Sequence, residues 1–238
     1  MPRFASVANL LYPPTCLLCH SGRPAGAVCG ECAAVMPRRQ APVCIRCGVA
    51  LPGAFDAVVL CPACRRRPPS FEMARAPWLY AGLVQEAIRQ FKYSRHWRIG
   101  RWLAEEMSAT ARASLPLDEV SAVLPVPLHW LKRRLRGWNP SEELAASVAQ
   151  SLKKPCRARA LRRTRWTTTQ TRLGRQARER NVRAAFAARP HSVRRQTVLL
   201  IDDVLTSGST AEACARALHE AGAGRVFVLT AARTPYHE

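Results

Sequence analysis

Residues 198–210, Val-Leu-Leu-Ile-Asp-Asp-Val-Leu-Thr-Ser-Gly-Ser-Thr, constrain the fold of this chain more than any other segment. The apolar run Thr197–Ile201 reads as a strand buried on both faces, the kind found in parallel sheets. It finishes in Asp202 and Asp203, an unusual ending, because each carboxylate loses hydration and repels the other. Strand alternation points the two in opposite directions, so they can grip different atoms, such as two vicinal ribose hydroxyls. Thr206, Ser207, Gly208, Ser209 and Thr210 then form a small, hydroxyl-rich loop. Their N–H groups and hydroxyls can wrap a phosphate at the positive end of a helix starting near Thr210. An ordinary turn with a helix cap accounts for one such hydroxyl, not for four around a glycine behind an acidic pair.

The neighbouring pattern agrees. Val120–Val126 and Val226–Thr230 read as further strands, and Glu142–Leu152 has apolar residues at helical spacing. Thr210–Ala221 places Ala213, Cys214, Ala217, Leu218 and Ala221 on one face, with Gly222 and Gly224 as stop signals. Strands alternating with helices predict an α/β domain with a mainly parallel sheet flanked by helices, its ligand at the carboxyl ends of the strands. Other nucleotide-binding signatures are missing from the sequence. There is no Gly-x4-Gly-Lys-Ser/Thr loop, and Gly222-Ala223-Gly224 enters a strand instead of leaving one.

The first 64 residues carry eight of the ten cysteines as four Cys-x2-Cys pairs: Cys16/Cys19, Cys29/Cys32, Cys44/Cys47 and Cys61/Cys64. Two thiolates on one tight turn can hold one ion, and two such turns complete a tetrahedral four-sulfur zinc site. Two structural zinc ions are expected. Whether neighbouring or alternate pairs share an ion is left open by the spacing, although neighbouring pairs are the simpler arrangement. Competing chemistries fit less well. Cys16-Leu17-Leu18-Cys19-His20 matches a haem-attachment pattern, but only one of the four pairs has the histidine. Cys61-Pro62-Ala63-Cys64 resembles a redox dithiol, but Arg65, Arg66, Arg67, Pro68 and Pro69 follow where that motif needs a helix. Even pairing also disfavours an iron–sulfur cluster. Cys156 and Cys214 stand alone and read as ordinary residues. The stretch 65–77 reads as a linker, which predicts a cysteine-rich zinc-ribbon module over 1–70 and an α/β domain over 71–238.

A formal net charge of +21 on 238 residues points to a polyanionic or multiply phosphorylated partner. The charge is concentrated. Residues 128–195 hold 19 Lys and Arg against Glu142, Glu143 and Glu179. No apolar run reaches the ~18 residues of a membrane span. Phe4 to Leu11 is too short and interrupted for a signal peptide, so a cytoplasmic protein with reduced thiols is expected.

On these residues the 198–210 segment resembles the phosphoribosyl-pyrophosphate (PRPP) motif of type I phosphoribosyltransferases. The whole chain is similar to the ComF/ComFC family of competence-related proteins, which join a double zinc ribbon to a phosphoribosyltransferase domain. Three further blocks carry the likeness: Tyr80 with Ile88-Arg89-Gln90-Phe91-Lys92-Tyr93; Pro125-Val126-Pro127-Leu128-His129 running on to Arg134 and Arg136-Gly137-Trp138-Asn139; and Arg163-Thr164, Gln170, Arg178, Arg180-Asn181-Val182 and Phe186. Pro140 stands where the family usually has a polar residue, and Trp130 replaces a common proline.

The resemblance implies that Asp202 and Asp203 hold ribose hydroxyls and that Thr206 through Thr210 hold the 5′-phosphate. It makes 125–139 the pyrophosphate-side loop, with Arg134 and Arg136 as cationic contacts and Asn139 as a further candidate. Residues 163–181 then form a closing loop carrying Arg165, Arg175 and Arg178. Mg2+ would accompany PRPP. Two functions are expected from it. One is PRPP binding coupled to single-stranded DNA handling in uptake and transformation, alongside competence or recombination proteins. The other is phosphoribosyl transfer to a nitrogenous acceptor that the sequence does not identify. Trp130, Trp138 and Trp166 interleave with the basic residues and offer stacking platforms for bases, or else belong to the core.

Overall fold

The computed structural model describes residues 15–21, 26–39, 42–53, 59–128, 134, 137–164 and 185–235. In chain order the elements are α1 (Gly30–Ala34), α2 (Pro62–Arg66), β1 (Met73–Arg75), β2 (Trp78–Leu79), α3 (Leu83–Ser94), α4 (Trp97–Ser114), a 3-10 turn (Leu117–Glu119) and β3 (Ala122–Pro125). They continue with α5 (Pro140–Leu152), β4 (Leu161–Arg163), β5 (Phe186–Ala188), α6 (Pro190–Val193), β6 (Val198–Leu205), α7 (Ser209–Glu220) and β7 (Val226–Arg233).

The main sheet has the order β1-β7-β6-β3, with β2 also paired to β7, and every pairing is parallel. Val198–Ile201 and Val226–Leu229 are fully buried, as strands covered on both faces must be. Alternation divides them between two cores. Leu199, Ile201, Phe227 and Leu229 pack with Ile88 and Phe91 of α3, Leu103 and Met107 of α4, and Leu144 and Val148 of α5. Val198, Leu200, Val226 and Val228 pack with Cys214 and Leu218 of α7, and with Leu161 and Phe186 from the antiparallel β4–β5 pair.

Both cysteine sets join these cores. Cys16 and Cys32 lie with the α3–α4–α5 layer, and Cys44, Cys47, Cys61 and Cys64 with the α7 layer. Among the described residues, no helix is long and apolar enough to cross a membrane.

Two expectations need correction. The presumed linker 65–77 contains β1, whose Met73, Ala74 and Arg75 pair with Phe227, Val228 and Leu229. The same stretch begins with the last turn of α2, a helix where none was expected after Cys64. The strand expected to stop at Ile201 runs on to Leu205, because β7 is equally long and pairs Asp202 with Thr230, Val204 with Ala232 and Leu205 with Arg233. The carboxylates therefore sit inside the strand, not past its end.

Candidate functional site

Asp202 and Asp203 are each met by a different element. Asp202 Oδ1 accepts from Ser141 Oγ at 2.9 Å and from the Asp203 backbone N–H at 2.9 Å. Asp203 Oδ1 lies 2.8 Å from Lys92 Nζ, in a pair whose side chains are only 17% and 21% exposed. At that burial the attraction is far stronger than in a surface pair. Burial pushes the Asp202 carboxyl up to about 7, reinforced by the Asp203 charge and opposed by Ser141, the Asp203 N–H and Lys92. For Lys92, burial works against the charged form, but the Asp203 carboxylate, with help from Asp202, outweighs it and moves the ammonium upward.

Local sequence explains how these partners arrive. Lys92 lies in the last turn of α3, one position past Phe91, whose ring is buried and meets Trp138 edge-on at 5.1 Å. Ser141 opens α5. Asn139 caps that helix, its side-chain oxygen accepting from the Ser141 N–H at 3.2 Å while its amide donates to the Val126 carbonyl at 3.1 Å. Asn139 is 3% exposed, and these two bonds tie the start of the helix to the segment after β3. Pro140 occupies the first helical turn, where its missing N–H costs nothing. The departure from the family pattern at Pro140 thus fits a rigid helix start.

Beyond β6, Gly208 takes φ +80 at the start of α7, a left-handed conformation that disfavours a side chain. Gly208 at the N-cap offers no side chain, and the Ser209 N–H reaches only Ser207 Oγ, at 3.4 Å. Ser207 and Ser209 share a hydroxyl contact at 2.8 Å, and Thr206 and Ser207 are exposed. The helix start thus presents backbone N–H groups and hydroxyls to solvent, a setting suited to an anion.

Arg134 is exposed, and among the described residues it shares no hydrogen bond or ion pair with the carboxylates. Arg136, Trp130, Trp166, Arg165, Arg175 and Arg178 lie outside the described residues. Trp138, considered as a base platform, is 6% exposed and belongs to the core. An exposed aromatic surface lies next to it instead, at the α3–α4 corner: Tyr93 is 70% and Trp97 47% exposed, with the Arg95 guanidinium 5.2 Å from the Trp97 ring centre.

The cysteines form two sets from neighbouring pairs: Cys16, Cys19, Cys29 and Cys32, and Cys44, Cys47, Cys61 and Cys64. Within each set the sulfurs lie within 4.8 Å of one another. Cys19 and Cys29 Sγ are 3.7 Å apart, as are Cys47 and Cys61 Sγ. A tetrahedron with ~2.3 Å zinc–sulfur bonds has edges of about 3.8 Å, so the donors fit zinc. Cys29 and Cys61 each start a short helix and accept an N–H from Cys32 and Cys64, respectively. The Cys16 thiol is pushed down to about 6: burial raises it, but backbone N–H groups acting on its sulfur outweigh that. Cys32 is pushed up by burial and by its neighbours' sulfurs. Four thiolates this crowded need a divalent cation between them. The two clusters are consistent with two zinc ions, with Cys156 exposed and Cys214 buried in the core apart from them.

Comparison with known proteins finds relatives of both parts of the sequence. A double zinc ribbon domain model matches residues 7–65, and a phosphoribosyl transferase domain model matches 110–236. The DNA utilization protein YhgH of Shigella flexneri is 30% identical over 230 residues, covering 94% of this chain and 99% of the relative. Competence protein F of Haemophilus influenzae is 27% identical over 178 residues, covering 73% and 78%. Among solved structures, the glutamine phosphoribosylpyrophosphate amidotransferase of B. subtilis aligns with a TM-score of 0.41 at 22% identity over 61% of this chain, which spans only 30% of that one.

The Asp202 environment predicts a pH-dependent stability. Its folded pKa lies above the ordinary value of about 3.9, so stability is fully present at low pH and is lost as pH rises from about 4 through about 7. Asp202→Asn removes the titration and keeps an acceptor for Ser141. The variant should melt several degrees above the wild type at about pH 8, with the gap closing towards about pH 4. A gap of equal size at both ends of the range would contradict the assignment.

Proposed function

As the chain belongs to the ComF/YhgH family of proteins joining a double zinc ribbon to a phosphoribosyltransferase domain, we propose that it binds PRPP with Mg2+ at Asp202 and Asp203. In this reading residues 1–70 are the zinc-ribbon unit, 71–238 the phosphoribosyltransferase-like unit, and the protein works in the cytoplasm in DNA uptake and use. The observation that carries the proposal is the acidic pair within a buried strand, running directly into a hydroxyl-rich helix start with glycine at its N-cap.

The chemistry follows from that arrangement. Ribose hydroxyls donate to the two carboxylates, and the ligand's donors replace the water that burial removed from Asp202. Lys92 pairs with Asp203 Oδ1 and offsets its negative charge. The N–H groups and hydroxyls of Thr206 through Thr210 take the 5′-phosphate at the positive helix end. Mg2+, when bound with the ligand, neutralises pyrophosphate charge, and Arg134 and Arg136 are the cations assigned to that side. Calorimetry with PRPP and Mg2+ should show binding that the Asp202→Ala, Asp203→Ala double variant loses while still melting cooperatively. Unchanged affinity in that variant would overturn the site. Pyrophosphate release on adding nitrogenous acceptors would move the reading to phosphoribosyl transfer.

Single-stranded DNA is the second ligand in this proposal. The name DNA utilization protein belongs to the relative, and what supports DNA binding in this chain is the +21 charge and the exposed α3–α4 corner. There, Tyr93 through Arg98 are six consecutive exposed residues, Trp97 with a guanidinium over its ring. Bases stack on aromatic faces at ~1–3 kcal/mol each. Anisotropy of a labelled oligothymidine should show roughly tenfold weaker binding for Trp97→Ala, and an affinity that falls steeply with salt. Equal affinity for the variant, or salt-insensitive binding, would remove this surface from the proposal.

A further inference from the structure

The second cysteine cluster is joined to the phosphate loop by a short chain of hydrogen bonds. Its first turn, Cys44–Cys47, lies against the edge of β1, and three successive carbonyls of that turn accept from the sheet. Ile45 accepts from Arg75 Nη1 at 2.9 Å, Arg46 from the Ala74 N–H at 2.6 Å, and Cys47 from Arg233 Nε at 3.3 Å. Gly48 makes the approach possible: at φ +66, a Cβ here would stand 2.5 Å from the Ala74 carbonyl oxygen.

Arg233 ends β7, directly across from Leu205, which ends β6. While its Nε holds the cysteine turn, its Nη1 donates to the Leu205 carbonyl at 2.8 Å, to the Thr206 carbonyl, and to Thr234 Oγ1 at 3.1 Å. Leu205 and Thr206 are where the strand gives way to the phosphate loop. Among the described residues Arg233 has no carboxylate partner, so its guanidinium is organised entirely around carbonyls and one hydroxyl. A second tie reaches the same helix: Ser70, just past the cluster, donates its N–H and hydroxyl to Glu212 in the first turn of α7, at 2.7 and 2.8 Å.

We propose that Arg233 is a positioning residue through which the Cys44–Cys47–Cys61–Cys64 cluster fixes the geometry of the Thr206–Thr210 loop. The loop is preorganised for an anion only while the cysteine turn is seated on β1, and ligand binding in turn steadies the turn. Among the described residues the other cluster has no such link: Cys19 is exposed, and Cys16 and Cys32 pack with the opposite core. The consequence for ligand affinity rests on the PRPP reading; the mechanical coupling does not.

The test is amide hydrogen exchange on the full zinc-loaded chain, comparing the wild type with Arg233→Met, Arg233→Lys and Gly48→Ala, with zinc counted in each. Two zinc ions are expected in all four proteins. Arg233→Met should speed exchange in the segments 44–49 and 204–210 together and leave 16–32 unchanged, and Arg233→Lys should partly restore both. Gly48→Ala, which pushes the turn off the Ala74 carbonyl of β1 without touching Arg233, should speed exchange at 204–210 as well. Faster exchange in one segment alone, or in neither, overturns the coupling whether or not PRPP binds. Calorimetry then reads the consequence: about tenfold weaker PRPP binding in Arg233→Met is expected. If coupled exchange is seen but the wild type binds no PRPP, the PRPP reading fails and the coupling stands.

Discussion

Two adjacent carboxylates inside a strand buried on both sides are the costly feature around which this fold is arranged. Water cannot hydrate them fully, and each raises the energy of the other's charge. The molecule answers from separate elements: an ammonium from the end of α3 for Asp203, a hydroxyl from the start of α5 and a backbone N–H for Asp202. Burial and the Asp203 charge still push the Asp202 carboxyl upward against those partners. Strain kept at one strand position is a common price of function.

The helices on that face therefore do more than cover apolar surface. Phe91 and Trp138 lock α3 beside the segment entering α5, and that packing delivers Lys92 and Ser141 to neighbouring carboxylates. On the opposite face, the second cysteine cluster lies in the same core as α7 and β5. A cysteine turn held by an ion is rigid where a loop of that length would fray, and here it also covers the backbone edge of β1 that would otherwise stay unpaired.

Much of this was legible in the residues because the signals are local. Cys-x2-Cys spacing and the apolar strand, glycine loop and amphipathic helix of 198–220 are each contained in a short window, and each is found there apart from the end of the strand. The partnership of neighbouring cysteine pairs needed the fold, since spacing permits either pairing. Lys92 falls within a recognisable motif, but its task is not legible there, because its partner is far along the chain and no local pattern announces the pair. The helices over 83–114 did leave a signal, with Val84, Ala87, Ile88 and Phe91 and then Ile99, Leu103 and Met107 at helical spacing. The end of β6 was misplaced for a clear reason: two aspartates look like the edge of a strand, but strand length is decided by the partner β7. Trp138 could be read as a base platform or as core, and only tertiary packing, which draws it into the core, decides between the two.

The central claim is that the acidic pair and the loop behind it form one phosphoribosyl site. A crystal structure with PRPP and Mg2+ tests it most directly. Ribose hydroxyls are expected at hydrogen-bond distance, about 3 Å, from Asp202 and Asp203, with the 5′-phosphate on the N–H groups at the start of α7. A ligand seated elsewhere, with the carboxylates still bound only to Lys92 and Ser141, would contradict it.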